Sequence, residues 1–112
     1  MDREIEGWQH KIRSIAPAIV KAEFAVYKAD ADIKLLQAQL ELKASSLGIK
    51  TVSGQKQNAE SKSELYEARL AYGMTKGQLS GLKVQLKSLE VGFEEWRTRM
   101  VNARQEQKRY SA

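Results

Sequence analysis

Apolar residues recur at alternating steps of three and four along almost the whole chain, and this stride limits the possible folds more than any other feature. The first series reads Ile5, Trp8, Ile12, Ile15, Ile19, Ala22, Val26, Ala29, Ile33, Leu36, Leu40, Lys43, Leu47, and only Lys43 breaks it. The second reads Leu65, Ala68, Tyr72, Thr75, Leu79, Leu82, Leu86, Leu89, Phe93, Trp96, Met100, Ala103, and only Thr75 breaks it. Such spacing lines up one side of an α-helix, whereas a half-buried strand needs period two. Sustained this long, it predicts helices packed in coiled-coil fashion. The 112 residues are therefore expected to form one all-α domain, an antiparallel helical hairpin.

Boundaries follow from the residues that stop or start helices. Pro17 lies inside the first series; it lacks a backbone donor and its ring clashes one turn back. The expectation is a kink there, or a short N-terminal helix over 2–15 followed by a long helix over 17–47 that uses Pro17 as an early position. Gly48 is a plausible helix stop. Residues 48–60 read as a connecting loop, long for a helical hairpin, with room for a helical turn. Ser61 followed by Glu64 has capping-box spacing and is expected to open the second long helix, over 61–108.

The second helix carries Gly73, Gly77, Gly81, Ser88 and Gly92, and the first carries Ala18, Ala22, Ala25 and Ala29. A helix-interior glycine costs up to about 1 kcal/mol relative to alanine, so several on one helix need a compensating gain. Folding the chain about Gly54 or Gln55 sets Ala18 near Gly92, Ala22 near Ser88 and Ala29 near Gly81. Close backbone packing is one reading. Helix bending, or contact with a nucleic-acid backbone, are the others.

Helix one has a second apolar line: Val20, Phe24, Tyr27, Ala31, Leu35, Ala38 and Leu42. It is placed about 100° around from the first, so a single partner helix cannot cover both. Two helices also make a thin core. Self-association through Val20, Phe24, Tyr27, Leu35 and Leu42 is expected, most simply as a dimer closing a four-helix bundle. Partial exposure under a folded-back N-terminal helix is the alternative.

The chemistry-bearing residues are sparse. There is no Cys and one His, His10, so disulfides, thiolate nucleophiles and thiolate-bound metals are excluded. His10 has Glu6 and Arg13 nearby in sequence, which reads as a surface histidine, not a metal ligand. No nucleophile elbow and no phosphate-binding glycine loop occurs. The pairs Glu94-Glu95 and Glu64/Glu67 read as solvated faces. The expectation is a protein without catalysis, metal or cofactor. The acidic, polar N-terminus does not resemble a signal peptide, and no apolar run reaches the roughly 20 residues that span a bilayer. A cytoplasmic protein with no membrane partner is expected.

The formal net charge is +5, which permits binding to nucleic acid without requiring it. Basic residues cluster twice: Lys50, Lys56 and Lys62 around the connection, and Arg97, Arg99, Arg104, Lys108 and Arg109 near the C-terminus beside Tyr110. Such groups neutralise phosphates, and an aromatic ring stacks on a base. They equally complement a helix C-terminus, or pair with Asp2, Glu4 and Glu6 across the hairpin.

Glu95-Trp96-Arg97-Thr98-Arg99 followed by Asn102-Ala103-Arg104 resembles the ending of a family of small, mostly uncharacterised phage proteins. Lys28-Ala29-Asp30, Gly48-Ile49-Lys50-Thr51-Val52 and Tyr66 are similar to its earlier parts. The resemblance covers most of the chain through short motifs. It implies a phage protein encoded near single-strand annealing recombinases, acting in a host cytoplasm. The architecture also looks like the UvsY-type recombination mediators of large tailed phages, which are helical, oligomeric and bind single-stranded DNA. Carried over by residue are only Trp96, Arg97 and Arg104. The resemblance implies an oligomer that binds single-stranded DNA or a recombinase–DNA complex. The competing expectation is an interaction module without nucleic acid, acting as an inhibitor of a host protein or as a scaffold factor.

Overall fold

The computed structural model describes residues 2–111, with the side chains of Asp2 and Ser111 outside the description. Three helices follow in order: α1 over Asp2–Ser46, α2 over Val52–Glu60 and α3 over Ser63–Ser111. The two long ones pack antiparallel as a helical hairpin. Every member of the first stripe from Ile5 to Leu40 is buried or half-buried, and so is every member of the second from Leu65 to Met100. At Lys43 the side chain is exposed, and the neighbouring Ala44 is fully buried in its place. Thr75 stays in its stripe because its hydroxyl donates to the Tyr72 carbonyl at 2.8 Å, leaving its methyl available for packing.

Contacts group into two compact units, Met1–Ile19 with Gly81–Ala112, and Val20–Ser80. The second unit holds the core cluster, in which Leu40, Ala59 and Leu65 are buried and Ile33 and Leu36 pack against them. In the first unit Trp8, Phe93 and Trp96 bring α1 and α3 together.

The expected division at Pro17 does not occur, since α1 runs through it as one helix. Proline removes a single intrahelical bond, whereas the stripe residues Ile15 and Ile19 on either side remain packed. Gly48 does stop α1. It has φ of +99°, and the amides of Gly48 and Ile49 donate to the Ser45 and Ala44 carbonyls at 3.1 Å each. This is the Schellman pattern, which satisfies carbonyls the helix end leaves open.

Residues 48–60 are mostly helix, not loop. Thr51 caps α2, its hydroxyl accepting from the Gly54 amide at 3.1 Å. A Cβ at Gly54 would stand 2.7 Å from that hydroxyl and 2.9 Å from Ile49 Cγ2, so the cap has room only for glycine. The Gln55 side-chain amide donates to the Ile49 carbonyl at 2.9 Å, tying α2 back to the turn. Ser61 does not open α3, because it closes α2: its hydroxyl donates to the Asn58 carbonyl at 2.6 Å. Helix α3 starts two residues later, and its first hydrogen bond runs from the Tyr66 amide to the Lys62 carbonyl.

The small-residue seam has a different register from the expected one. Trp8, not Ala18, lies on Gly92: a Cβ there would be 2.9 Å from the indole. The shift is almost three helical turns along α1. Gly73, Gly77 and Gly81 have nothing within 4 Å of where a Cβ would be, so no close backbone approach explains them.

Candidate functional site

The C-terminal basic cluster occupies the last turns of α3, where the packed stripe runs out after the half-buried Met100. At about 100° per residue, Arg97, Arg104 and Lys108 fall on one face of the helix, while Arg99 and Arg109 point elsewhere. All five are exposed. Arg97 lies 5.8 Å over the Phe93 ring and its guanidinium donates to Glu94 at 3.3 Å. Arg104 and Lys108 also have interactions within the chain. An exposed pair such as Arg97–Glu94 contributes little to stability.

The cluster expected around the connection is more dispersed. Lys50 lies in the α1–α2 link, Lys56 on α2 and Lys62 in the α2–α3 link; the first two are exposed and Lys62 is half-buried. Three further cations share the phase of Arg97 and Arg104 on α3, at steps of seven residues. Arg69 and Lys76 hold this position in one unit, and Lys83 holds it in the other, with Glu90 interrupting. Arg69 reaches Glu60 at 3.9 Å, and Lys76 lies 5.3 Å over the Tyr72 ring. A search for contiguous basic residues overlooks this row, whereas a search at heptad spacing finds it.

Trp96 is engaged within the fold. Its indole N–H donates to the Glu4 carboxylate at 2.8 Å, and its ring stacks on Phe93 with centroids 6.1 Å apart. Trp8 meets Phe93 at 6.4 Å and carries the Lys11 ammonium 5.5 Å over its own ring. Glu4 is therefore a partner of Trp96; the side chain of Asp2 lies outside the described residues. The Gly92 contact completes this cluster and gives a direct test. Gly92→Ala should destabilise the protein by about 1 kcal/mol because the Trp8 ring must move, whereas Gly7→Ala should stabilise it by about 0.5–1 kcal/mol because nothing obstructs the methyl. Thermal unfolding followed by circular dichroism checks both, and equal effects would contradict the contact.

The second apolar line of α1 is uncovered. Val20 is 65% exposed, Phe24 65%, Tyr27 73%, Leu35 59% and Leu42 72%. The helical repeat places these residues nearly opposite the packed stripe, not about 100° from it. They therefore form the back of the helix. Helix α3 has a matching back, with Tyr66, Leu70, Met74, Val84 and Val91 exposed and Gly73, Gly77 and Gly81 between them. Stepping by sevens along α1 gives His10, Pro17, Phe24, Ala31, Ala38 and Ser45. The same step along α3 gives Ser63, Leu70, Gly77, Val84, Val91, Thr98 and Gln105. Apart from Arg3, one step before His10 at the start of α1, neither line holds an Asp, Glu, Lys or Arg. In a chain that is 29% charged, the outermost line of a hairpin is where a solvated face would concentrate charge.

Among the described residues no three His, Asp or Glu side chains converge as a metal site, and no helix is long and apolar enough to cross a membrane. His10 is exposed. No protein-family model, curated protein or solved structure matches this chain.

Proposed function

We propose that this chain is a non-catalytic accessory protein of the phage type that works as an oligomer and binds single-stranded DNA, alone or with a recombinase. The carrying observation is the exposed basic face formed by Arg97, Arg104 and Lys108, which begins beside the last packed turn of α3 and runs past its end at Met100. Cations spaced along an exposed helix neutralise successive phosphates and release counterions, a contribution that does not depend on base sequence. Tyr110, 86% exposed, supplies a ring on which a base can stack. Lys50 and Lys56 are secondary candidates, and the resemblance at Trp96, Arg97 and Arg104 supports the same direction.

Fluorescence anisotropy with a labelled single-stranded oligonucleotide tests the reading. Replacing Arg97, Arg104 and Lys108 by Gln should weaken binding by about 10- to 100-fold at low salt and reduce the slope of log K against log salt by about 2. Absence of binding by the unaltered protein at about 50 mM salt would remove direct DNA recognition.

The exposed back of α1 favours a second reading, an interaction module that docks on a phage or host protein without nucleic acid. Capture from nuclease-treated host lysate separates the two. Partners that all vanish with nuclease treatment count against the second reading.

A further inference from the structure

We infer that the backs of α1 and α3 are the two halves of one contact between copies of this chain, with α1 of one copy docking against α3 of the next. This deepens the oligomer in the proposed function and does not depend on DNA binding. Three observations carry it.

The first is area. The chain exposes 8796 Å², whereas the size relation for folded monomers gives about 6,200 Å² for a protein of this length. The excess exceeds the roughly 1,600 Å² of total surface that a standard interface buries. Only Ile15, Leu40, Ala44, Ala59 and Leu65 are buried apolar residues among those described, so the protomer keeps much of its apolar surface in water.

The second is shape within the unit Val20–Ser80. The α1 back is a ridge of large side chains: Val20, Phe24, Tyr27, Leu35 and Leu42. The α3 back has Tyr66, Leu70 and Met74 exposed on either side of Gly73 and Gly77, and at both glycines the space beyond the backbone is open. A ridge needs a groove into which it can pack. The glycines weaken α3 unless something fills that space.

The third is charge. The charges on the back of α1 in this unit are Lys21, Lys28, Lys34 and Glu41, a net excess of cations, with Asp32 and Asp30, the partners of Lys28 and Lys34, set closer to the hairpin seam. The charge on the outer side of α3 in this unit is Glu67, while of the two cations at its flank Arg69 is held by Glu60 and Lys76 turns over the Tyr72 ring. Ridge and groove thus carry opposite signs.

Because the two backs lie on opposite sides of the hairpin, their pairing is heterologous. It does not end at a dimer: it closes as a ring or continues as a filament. The dimer read from the sequence, α1 against α1, would pair ridge with ridge and lysine with lysine.

Light scattering with size exclusion, in the absence of DNA, tests the contact on three preparations: the unaltered chain, a ridge variant (Phe24→Glu with Tyr27→Glu) and a groove variant (Gly73→Leu with Gly77→Leu). The altered positions are exposed, and unchanged helical circular dichroism checks that each variant folds. The unaltered chain should exceed the mass of a dimer, and each variant alone should be monomeric. An equimolar mixture of the two should give a dimer, since each retains the half the other lacks. A strictly monomeric unaltered chain, whether or not it captures another protein, overturns the proposal. So does a groove variant that still dimerises by itself, the mark of an α1–α1 contact. DNA binding by a monomer would leave the DNA reading standing while this contact falls.

Discussion

Leu65→Ala should lower the unfolding free energy by about 2–3 kcal/mol, the largest loss expected of any single truncation in this chain. Leu65 is the largest side chain that is fully buried, at 0% exposure. It sits at the start of α3 against Leu40 and Ala59, where all three helices meet. Removing it loses the transfer free energy of three carbons and leaves a hole that Ala59, already small, cannot fill. The value lies toward the lower end of the usual range because the cluster is shallow and its neighbours Ile33 and Leu36 are only half-buried, so partial collapse is open to it. Urea unfolding followed by circular dichroism measures the loss. A change below about 0.5 kcal/mol, the usual size of a surface substitution, would mean that Leu65 is not the centre of this core.

The hairpin itself was legible because burial selects residues at the helical period, and two uninterrupted stripes admit few other arrangements. Gly48 was legible for a local reason: a left-handed residue is needed to end α1, and glycine adopts it without steric cost. The connection was harder. Helix α2 carries no apolar stride of its own and buries only Ala59, so its helicity rests on a threonine cap, a glycine that fits under it, and one side-chain bond to the preceding turn. Ser61 and Glu64 satisfied the spacing of a cap, but a hydroxyl already donating to Asn58 from the end of one helix does not begin the next. Register failed because small residues were matched to small ones. The actual fit at Gly92 sets the largest side chain, Trp8, on the smallest, which buries more surface per contact.

The candidate surfaces divide in the same way. The α1 ridge was visible as a list of apolar residues, yet its position at the back of the helix depended on counting rotation over several turns. The α3 back was missed because its glycines were assigned to the seam between the helices. Open space beyond Gly73 and Gly77 moves them to the outside. A seven-residue step reveals the line at once, through the absence of charge more than the presence of hydrophobicity. The basic face at Arg97, Arg104 and Lys108 needed the same step, since contiguous counting grouped these residues with Arg99 and Arg109.

Pro17→Ala should stabilise the protein by about 2 kcal/mol, an unusual sign for a substitution inside a long helix. Proline in a helix interior costs about 3 kcal/mol relative to alanine. It removes the hydrogen bond that residue 17 would donate to the Arg13 carbonyl, and its ring crowds that carbonyl. Pro17 is exposed, so alanine restores the bond at little loss of packing. Against this, proline restricts the unfolded chain, an advantage of about 0.4–1 kcal/mol that alanine gives up. The difference leaves the estimate at about 2 kcal/mol. Thermal unfolding should show a raised midpoint, with Trp8 and Trp96 reporting fluorescence from the unit that contains residue 17. An unchanged midpoint would mean that α1 is interrupted at this turn in solution, as the proline alone suggests. Helical continuity here places Trp8 on the same rigid element as Ile15 and Ile19. A break would uncouple the aromatic cluster at Phe93 and Trp96 from the rest of α1, and with it the footing of the basic face that begins at Arg97.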